Sequence, residues 1–159
     1  MFNNSPLPFA NPNASASGIT RFHPDALRLF ERMLWVGQVH RLISRLTGRT
    51  TRLSRLDDAV RTTTRHAGDD DVIPVNIDQI IGTVSRSSDF DRRFYPMRSV
   101  VSLRWVRVAS GVLHGTYLPP IELIRVGQHY FVQDGHHRIS VARALGHETL
   151  DAVVLAVYP

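Results

Sequence analysis

The chain contains no cysteine and no lysine among its 159 residues. Without cysteine, disulfide bonds and all chemistry that depends on a thiolate are excluded. Without lysine, all nineteen basic side chains are arginine. A GC-rich genome is the simplest explanation of that bias. The functional explanation is a phosphorylated ligand, because arginine makes two-pronged contacts with phosphate that lysine cannot make.

Long apolar segments are also missing. No run of residues approaches the roughly 20 apolar positions that a membrane-spanning helix needs. Residues 1–20 lack the basic start and apolar block of a signal peptide. We therefore expect a cytoplasmic protein without a membrane span, long enough for one domain with its own core and an appended segment.

Charge is distributed unevenly along the chain. Residues 21–65 carry ten arginines and four acidic residues, whereas residues 66–159 carry nine arginines and ten acidic residues. The excess positive charge therefore belongs to the N-terminal third. A basic segment beside a nearly neutral one indicates a polyanionic partner, such as nucleic acid.

Composition and periodicity divide the chain into four parts. Residues 1–20, rich in Asn, Ser, Ala and Pro, are predicted to be a disordered tail. Residues 21–65 are predicted to be a basic helical region, and residues 66–71 an acidic linker that contains glycine. Residues 72–159 are predicted to be the main domain.

A long amphipathic helix is predicted over residues 25–46, followed by a second, short helix over residues 53–60. The apolar face of the long helix is expected to contain Leu27, Phe30, Met33, Leu34, Leu42 and Leu46. Trp35 either joins that face in the core, as its apolar neighbours favour, or stacks on nucleic-acid bases or at a membrane interface. The helix itself either packs on the core or pairs with a second copy, which would give a homodimer.

Four arginines recur in this region at intervals of three or four residues: Arg41, Arg45, Arg49 and Arg52. If the segment is helical, their side chains form one stripe on its surface. A solvated face is the commoner meaning of such a stripe, and a nucleic-acid-binding surface is the functional alternative.

The most informative segment runs from Tyr130 to Gly146 and is typical of a strand, a polar turn and a helix. Its turn, the sequence Asp-Gly-His-His-Arg at residues 134–138, is called the DGHHR turn below. Glycine permits the backbone angles of a sharp reversal, and apolar residues then recur at helical spacing up to Gly146. The turn is therefore predicted at a helix N-terminus, where free amides and the helix dipole favour an anion.

We predict that this turn binds the phosphate of a nucleotide or phosphate ester, with Arg138 as the two-pronged donor. The residues assigned to the site are Asp134, Gly135, His136, His137, Arg138 and Ser140, with Arg86 and Arg92 closing over the same anion. The structural alternative is an Asx-type turn in which Asp134 caps the helix. A zinc site is not expected, because no third ligand stands at a familiar spacing.

Residues 85–96 alternate arginine and aspartate around two phenylalanines. Such a segment is either a self-paired surface loop or a second wall of the ligand site. In the second case, Asp89 and Asp91 are candidates for binding Mg²⁺ or for acting as a general base. His136 and His137 are the candidate catalytic histidines beside them.

The remaining segments predict a small sheet with packed helices. Strands are expected at residues 73–77, 121–126, 129–133 and 150–158, and helical segments at residues 78–82, 99–111 and 136–145. The segment 99–111 is also compatible with a strand, because it is rich in β-branched residues. A helix is favoured there because the segment must connect two strands of the core.

This order of strand, strand, DGHHR turn, helix and strand resembles the ParB/sulfiredoxin superfamily, in a variant of its ParB N-terminal-like domain. Residues 119–123 before the turn and 150–154 after it carry the resemblance further, and it is clearest over residues 117–157. The resemblance implies an α+β fold, a small mixed sheet with packed helices, to which the N-terminal amphipathic helix is appended. It also implies a nucleotide such as CTP, ATP or ADP, with Mg²⁺, at the turn.

Members of this superfamily differ in function, so the fold alone does not select one. Partition proteins bind CTP and clamp DNA, and others are serine kinases or nucleases. The sulfur-repair enzyme is excluded, because its catalytic cysteine has no counterpart here. Three hypotheses follow: a nucleotide- or phosphate-binding protein that acts with DNA through its arginine-rich helix; a Mg²⁺-dependent phosphotransferase, phosphohydrolase, NTPase or nuclease; or a non-catalytic protein-interaction module.

Overall fold

The structure, a computed structural model, describes residues 22–48, 52–60, 66–67, 71–85 and 88–159 of the chain. The predicted tail over residues 1–20 lies outside these ranges, as do two arginines assigned to ligand sites, Arg49 and Arg86. Within them the chain forms a mixed α/β structure, in which helices pack on a mixed sheet.

The helices of the described ranges are α1 (Pro24–Leu46), α2 (Leu56–Ala59), α3 (Ser102–Leu113) and α4 (His136–Ala144). The strands are β1 (Ser54–Arg55), β2 (His66–Ala67), β3 (Val72–Asn76), β4 (Ile80–Thr83), β5 (Ile121–Val126), β6 (His129–Asp134) and β7 (Thr149–Tyr158). Short 3₁₀ helices, Ile77–Gln79 and Ser99–Val101, precede β4 and α3.

The sheet has the strand order β1-β4-β6-β5-β7-β2, and β3 pairs with β7 on the same side as β2. Strands β5 and β6 form an antiparallel hairpin, whereas β6 is parallel to β4 and β7 is parallel to β5. Along β7 the even-numbered residues from Leu150 to Ala156 are buried, as expected for a strand with one face on a core. Because β6 lies between β4 and β5, the DGHHR turn that follows it emerges near the middle of the sheet.

Helix α1 belongs to the core rather than standing apart as an appendage. Its buried residues are Ala26, Phe30, Met33, Gly37 and Ser44. The ring of Phe30 packs on that of Trp105 in α3, with 5.4 Å between the ring centroids. Gly37 lies so close to the segment before α3 that an added Cβ would stand 2.7 Å from the carbonyl oxygen of Pro96. The absence of a side chain at Gly37 thus lets α1 lie close to the backbone at Pro96.

The apolar face predicted for this helix is only partly the face that it buries. Phe30 and Met33 are buried as expected, but Leu27, Leu42 and Leu46 are exposed. Trp35, expected in the core, is 65% exposed. Periodicity failed here because the helix docks through glycine, alanine and serine, residues that hydrophobic patterns do not single out.

The other predicted elements agree with the structure in most places. The helix at residues 99–111 and the strands of the hairpin are confirmed, with α3 ending at Leu113. The helical turn predicted over residues 78–82 is wrong in its second half, because β4 begins at Ile80. Part of the predicted linker forms β2, which pairs with β7.

Within the described ranges, no helix combines the length and the apolar character that crossing a membrane requires.

Replacing Gly37 by alanine is expected to destabilise the protein by about 1–3 kcal/mol, because the new methyl group meets the backbone at Pro96. In an ordinary helix the same change is stabilising, since alanine is the better helix former. The free energy of unfolding from urea titration measures the effect. Gln38→Ala, one position along and exposed, is the matched control and should be nearly neutral. A neutral or stabilising Gly37→Ala would contradict this docking of α1.

Candidate functional site

The DGHHR turn joins β6 to α4 and requires glycine at its second position. Gly135 has a φ of +113°, and an added Cβ would stand 2.5 Å from Cγ2 of Ile121. The amide of Ile139 donates to the carbonyl oxygen of Gly135 at 3.0 Å, which closes the first turn of α4. The predicted strand, turn and helix are therefore confirmed. Helix geometry leaves the amides of the first turn without carbonyl acceptors inside the helix.

Arg138 is bonded to other residues of the same chain through both of its terminal nitrogens. One terminal nitrogen, Nη1, donates to the carbonyl oxygens of Pro119 at 2.5 Å and Pro120 at 2.6 Å. The other, Nη2, pairs with the carboxylate of Asp134. The guanidinium therefore braces the turn against the segment before β5, instead of presenting both prongs to a ligand as predicted. Asp134 makes no helix-capping bond either, since its partner is Arg138.

His136 and His137 begin α4 and are held by aromatic rings. His136 Nε2 lies 2.8 Å from Oγ1 of Thr83 at the end of β4. The ring of Phe90 stacks on His136, with 6.2 Å between centroids, and meets His137 edge-on at 5.1 Å. His137 Nε2 is buried and has no hydrogen-bond partner in the described part of the chain. Both imidazoles are thus fixed in orientation, and Nε2 of His137 is left without a hydrogen-bond partner among the described residues.

Both histidines are kept neutral at neutral pH. Burial, together with the nearby charge of Arg104, lowers the pKa of His137 to about 4. Burial also lowers the pKa of His136, against the opposing effect of Asp134. A neutral imidazole offers one N–H donor and one lone pair rather than a positive charge. The histidines therefore supply hydrogen bonds to this site, and the positive charge must come from elsewhere.

A cleft of about 500 Å³ opens in front of α4 and is called the turn cleft below. Besides the DGHHR turn, its lining includes Asp89, Phe90 and Arg104. The carboxylate of Asp89 is paired with Arg98 at 3.4 Å, and that of Asp134 with Arg138. Arg104 forms no hydrogen bond or ion pair with any described residue. Among its described residues, the cleft thus holds one uncompensated cation beside the positive end of a helix.

Asp91 was predicted to take part in catalysis or to bind Mg²⁺. In the structure its contacts are structural. It is 1% exposed. Its Oδ1 accepts the amides of Arg93 and Tyr95 at 2.9 Å each, and its Oδ2 lies 2.9 Å from Nδ1 of His40. These contacts leave Asp91 no open position for a ligand.

Mg²⁺ requires several converging oxygen ligands, usually carboxylates together with water or phosphate. Of the two predicted ligands, Asp91 is enclosed and Asp89 is paired with Arg98. No group of three or more histidine and acidic side chains in the described ranges is arranged to hold a metal ion. The side chains at this site therefore do not fit a protein-bound Mg²⁺.

Two further residues assigned to the phosphate site lie elsewhere. Ser140 is 2% exposed, and its hydroxyl accepts a hydrogen bond of 2.8 Å from Nε1 of Trp105, which ties α4 to α3. Arg92 is exposed and does not line the turn cleft. Ser140 was placed near the turn by sequence distance alone, but a side chain four residues into the helix points back to the core.

A second cleft, of about 830 Å³, lies between α1 and the β1 and β4 edge of the sheet. It is called the arginine cleft below, because its lining includes Arg41, Arg45, Arg52, Arg55 and Arg98. It therefore brings together the three described members of the predicted arginine stripe and adds two more. Phe90 and Ser85 line both clefts, so the two are neighbours.

Several of these arginines have partners within the chain. Arg55 pairs with Asp57 at 3.2 Å, and Arg98 pairs with Asp89. Arg41 and Arg45, one turn apart on α1, form no hydrogen bond or ion pair with the residues that the structure describes. The positive charge of the arginine cleft is thus only partly compensated.

Arg104 lines the turn cleft but was not among the residues predicted for the site. It stands between Leu103 and Trp105 in a helix whose other residues are mostly apolar. It is one of two arginines in this helix, the other being Arg107, and only the packing of α3 against α4 brings it to the DGHHR turn. Comparison of the chain with protein-family models, curated proteins and solved structures finds no match.

The depressed pKa values predict that the protein loses stability as the pH falls from about 6.5 to about 4. In that range His137 takes up a proton in the unfolded state and not in the folded state, so protons favour unfolding. Urea unfolding at a series of pH values measures the slope.

His137→Gln should reduce this slope without abolishing it, because His136 and His147 also have lowered pKa values. The exposed His129→Gln serves as the control for removal of a surface imidazole. An identical slope in His137→Gln and the wild type would contradict the burial of this imidazole.

Proposed function

We propose that the protein binds a phosphorylated small molecule, a nucleotide or a phosphate ester, in the turn cleft. One observation carries the proposal. Asp89 and Asp134 are already paired with arginines, whereas Arg104, beside the N-terminus of α4, is unpaired among the described residues. A phosphate would supply the negative charge that this arrangement lacks.

The dimensions and chemistry of the cleft support a ligand of this class. A volume of about 500 Å³ lies within the range of small-molecule sites. Phosphate oxygens would accept hydrogen bonds from the first amides of α4 and from Arg104. His137 contributes a neutral imidazole to the lining of the cleft. Arg138 would act indirectly, by bracing the turn.

The resemblance of the sequence to the ParB/sulfiredoxin superfamily supports a nucleotide, such as CTP, ATP or ADP, over other phosphate esters. Part of what the resemblance implies does not carry over. Arg138 is engaged by Pro119, Pro120 and Asp134, so the direct contact falls to Arg104. Mg²⁺ would have to arrive with the nucleotide, because the carboxylates near the cleft are engaged.

A second candidate function is nucleic-acid binding in the arginine cleft. The observation that favours it is the meeting of five arginines around about 830 Å³, two of them without a partner among the described residues. Arginine contacts to phosphates give affinity that is independent of sequence. Since Phe90 lines both clefts, a nucleotide in one would lie next to a polynucleotide in the other.

A phosphotransferase, phosphohydrolase or nuclease activity has less support. Asp91 is enclosed, and Asp89 pairs with Arg98. Asp78, in the 3₁₀ helix before β4, pairs with Arg143 at 2.8 Å. With these carboxylates engaged, the described residues offer no free carboxylate to act as a general base in the turn cleft, and we favour binding as the function.

Arg104→Ala is expected to weaken nucleotide or phosphate binding at least about tenfold, since a hydrogen bond to a charged group contributes roughly 1.5–3 kcal/mol. Isothermal titration calorimetry with CTP, ATP, ADP and inorganic phosphate, with and without Mg²⁺, measures the dissociation constants. The urea midpoint should stay unchanged, because Arg104 is exposed and unpaired among the described residues.

Two variants make this test specific. Arg107→Ala removes an exposed arginine from the same helix and should leave binding unchanged. Arg138→Ala should lower both affinity and stability, because it releases the turn from Pro119 and Pro120. Equal affinity in the wild type and Arg104→Ala would contradict the proposed site, as would the absence of binding to all four ligands.

Replacing Arg41 and Arg45 together by alanine is expected to weaken binding of a labelled single-stranded oligonucleotide. It should also reduce the steepness of log K against log salt by about 1.4, since each phosphate contact to a single strand contributes about 0.7. Fluorescence polarisation over a salt series measures both quantities. Arg28→Ala, on the same helix but outside the arginine cleft, is the control. Binding that is insensitive to salt, or unaffected by the double substitution, would contradict this role.

A further inference from the structure

The outward surface of α1 carries an apolar seam made of Trp35, Val39, Leu42 and Leu46. Their spacing of four, three and four residues places them on one stripe of a helix. Trp35 is 65% exposed, Leu42 59% and Leu46 81%. Single exposed apolar side chains are common, but a continuous stripe of this kind marks an interaction surface.

The seam cannot pack on the sheet of its own domain. The face of α1 that meets the core is formed by Ala26, Phe30, Met33, Gly37 and Ser44. At 100° per residue, this face lies on the opposite side of the helix from Trp35 and Leu42. A groove of about 450 Å³ runs along the seam, between Trp35 and Leu42 on one side and Arg41 and Arg45 on the other.

The charges beside the seam indicate what would cover it. Residues 35–46 contain no acidic side chain. Arg41 and Arg45 flank the groove and are unpaired within the described ranges. A surface with an apolar centre and a cationic flank is complementary to a helix with an apolar stripe and carboxylates beside it. We propose that α1 is the docking surface for an acidic amphipathic helix of a partner protein.

Two other occupants fit the charges poorly. A second copy of the chain, paired through the same segment, would bring Arg41 and Arg45 again and no carboxylate to meet them. Residues 1–20 of this chain also contain no aspartate or glutamate. The apolar seam is separate from both clefts, because Trp35, Leu42 and Leu46 line neither of them, whereas Arg41 and Arg45 also line the arginine cleft.

The fluorescence of Trp35 provides a direct test with the full-length protein. The probe is a synthetic helical peptide with a leucine stripe flanked by glutamates, and its matched control carries lysine in place of every glutamate. Binding should shift the emission of Trp35 to shorter wavelength as its ring leaves water. The other tryptophan, Trp105, is already fully buried and should not change. The acidic peptide is expected to bind at least about tenfold more tightly than the lysine peptide.

Variants of exposed residues separate the apolar and the charged contributions. Leu42→Ser should abolish peptide binding and leave oligonucleotide binding in the arginine cleft unchanged. The double change Arg41→Glu and Arg45→Glu should invert the preference, so that the lysine peptide binds more tightly than the acidic one. Circular dichroism and urea unfolding check that each variant keeps its fold, which exposure of these side chains leads us to expect.

Four outcomes would overturn the proposal. The first is no binding of the acidic peptide, and the second is equal binding of both peptides. The third is self-association in sedimentation velocity that Leu42→Ser abolishes, which would assign the seam to a second copy of this chain. The fourth is a blue shift with vesicles of phosphatidylglycerol and phosphatidylcholine but with neither peptide, which would assign it to a lipid surface.

Discussion

A buried carboxylate organises both clefts of this protein. Asp91 is almost completely removed from water, and a buried charge is tolerated only when its oxygens are satisfied. Two backbone amides of its own loop and the imidazole of His40 on α1 meet this need. The same contacts hold Phe90, the neighbouring residue, in the wall that the turn cleft and the arginine cleft share. The need to satisfy the buried carboxylate of Asp91 thus accounts for three features: the position of α1, the shape of the loop and the boundary between the clefts.

The two clefts differ in how they present positive charge. Among the described residues of the turn cleft the positive charge is sparse. It consists of Arg104, which is unpaired there, and the partial charge at the start of α4, beside two histidines kept neutral by burial. In the arginine cleft five guanidinium groups surround a larger space. The first arrangement suits one or a few phosphates held at defined positions. The second suits a chain of phosphates held by charge alone.

Local sequence patterns predicted the hairpin and the DGHHR turn well, because β6, the turn and α4 follow from alternation, glycine and helical spacing within one segment. The same reasoning placed Trp35 in the core and left out Gly37, because it ranked side chains by hydrophobicity. The interface of α1 depends instead on how closely a residue without a side chain can approach Pro96. Arg138 bonds to residues before β5, and Arg104 lies near the turn because α3 packs on α4. Both contacts join segments that are distant in sequence, so local sequence patterns could not predict them.

The most direct test of the central claim is an NMR titration of the ¹⁵N-labelled protein with inorganic phosphate and CTP. If the turn cleft binds phosphate, the largest shifts should fall on the amides of His136 and His137 and on Nε–H of Arg104, saturating together. Shifts confined to Arg41 and Arg45, or no shifts at all, would contradict the account. In that case the DGHHR turn would be a structural brace alone, held by Arg138.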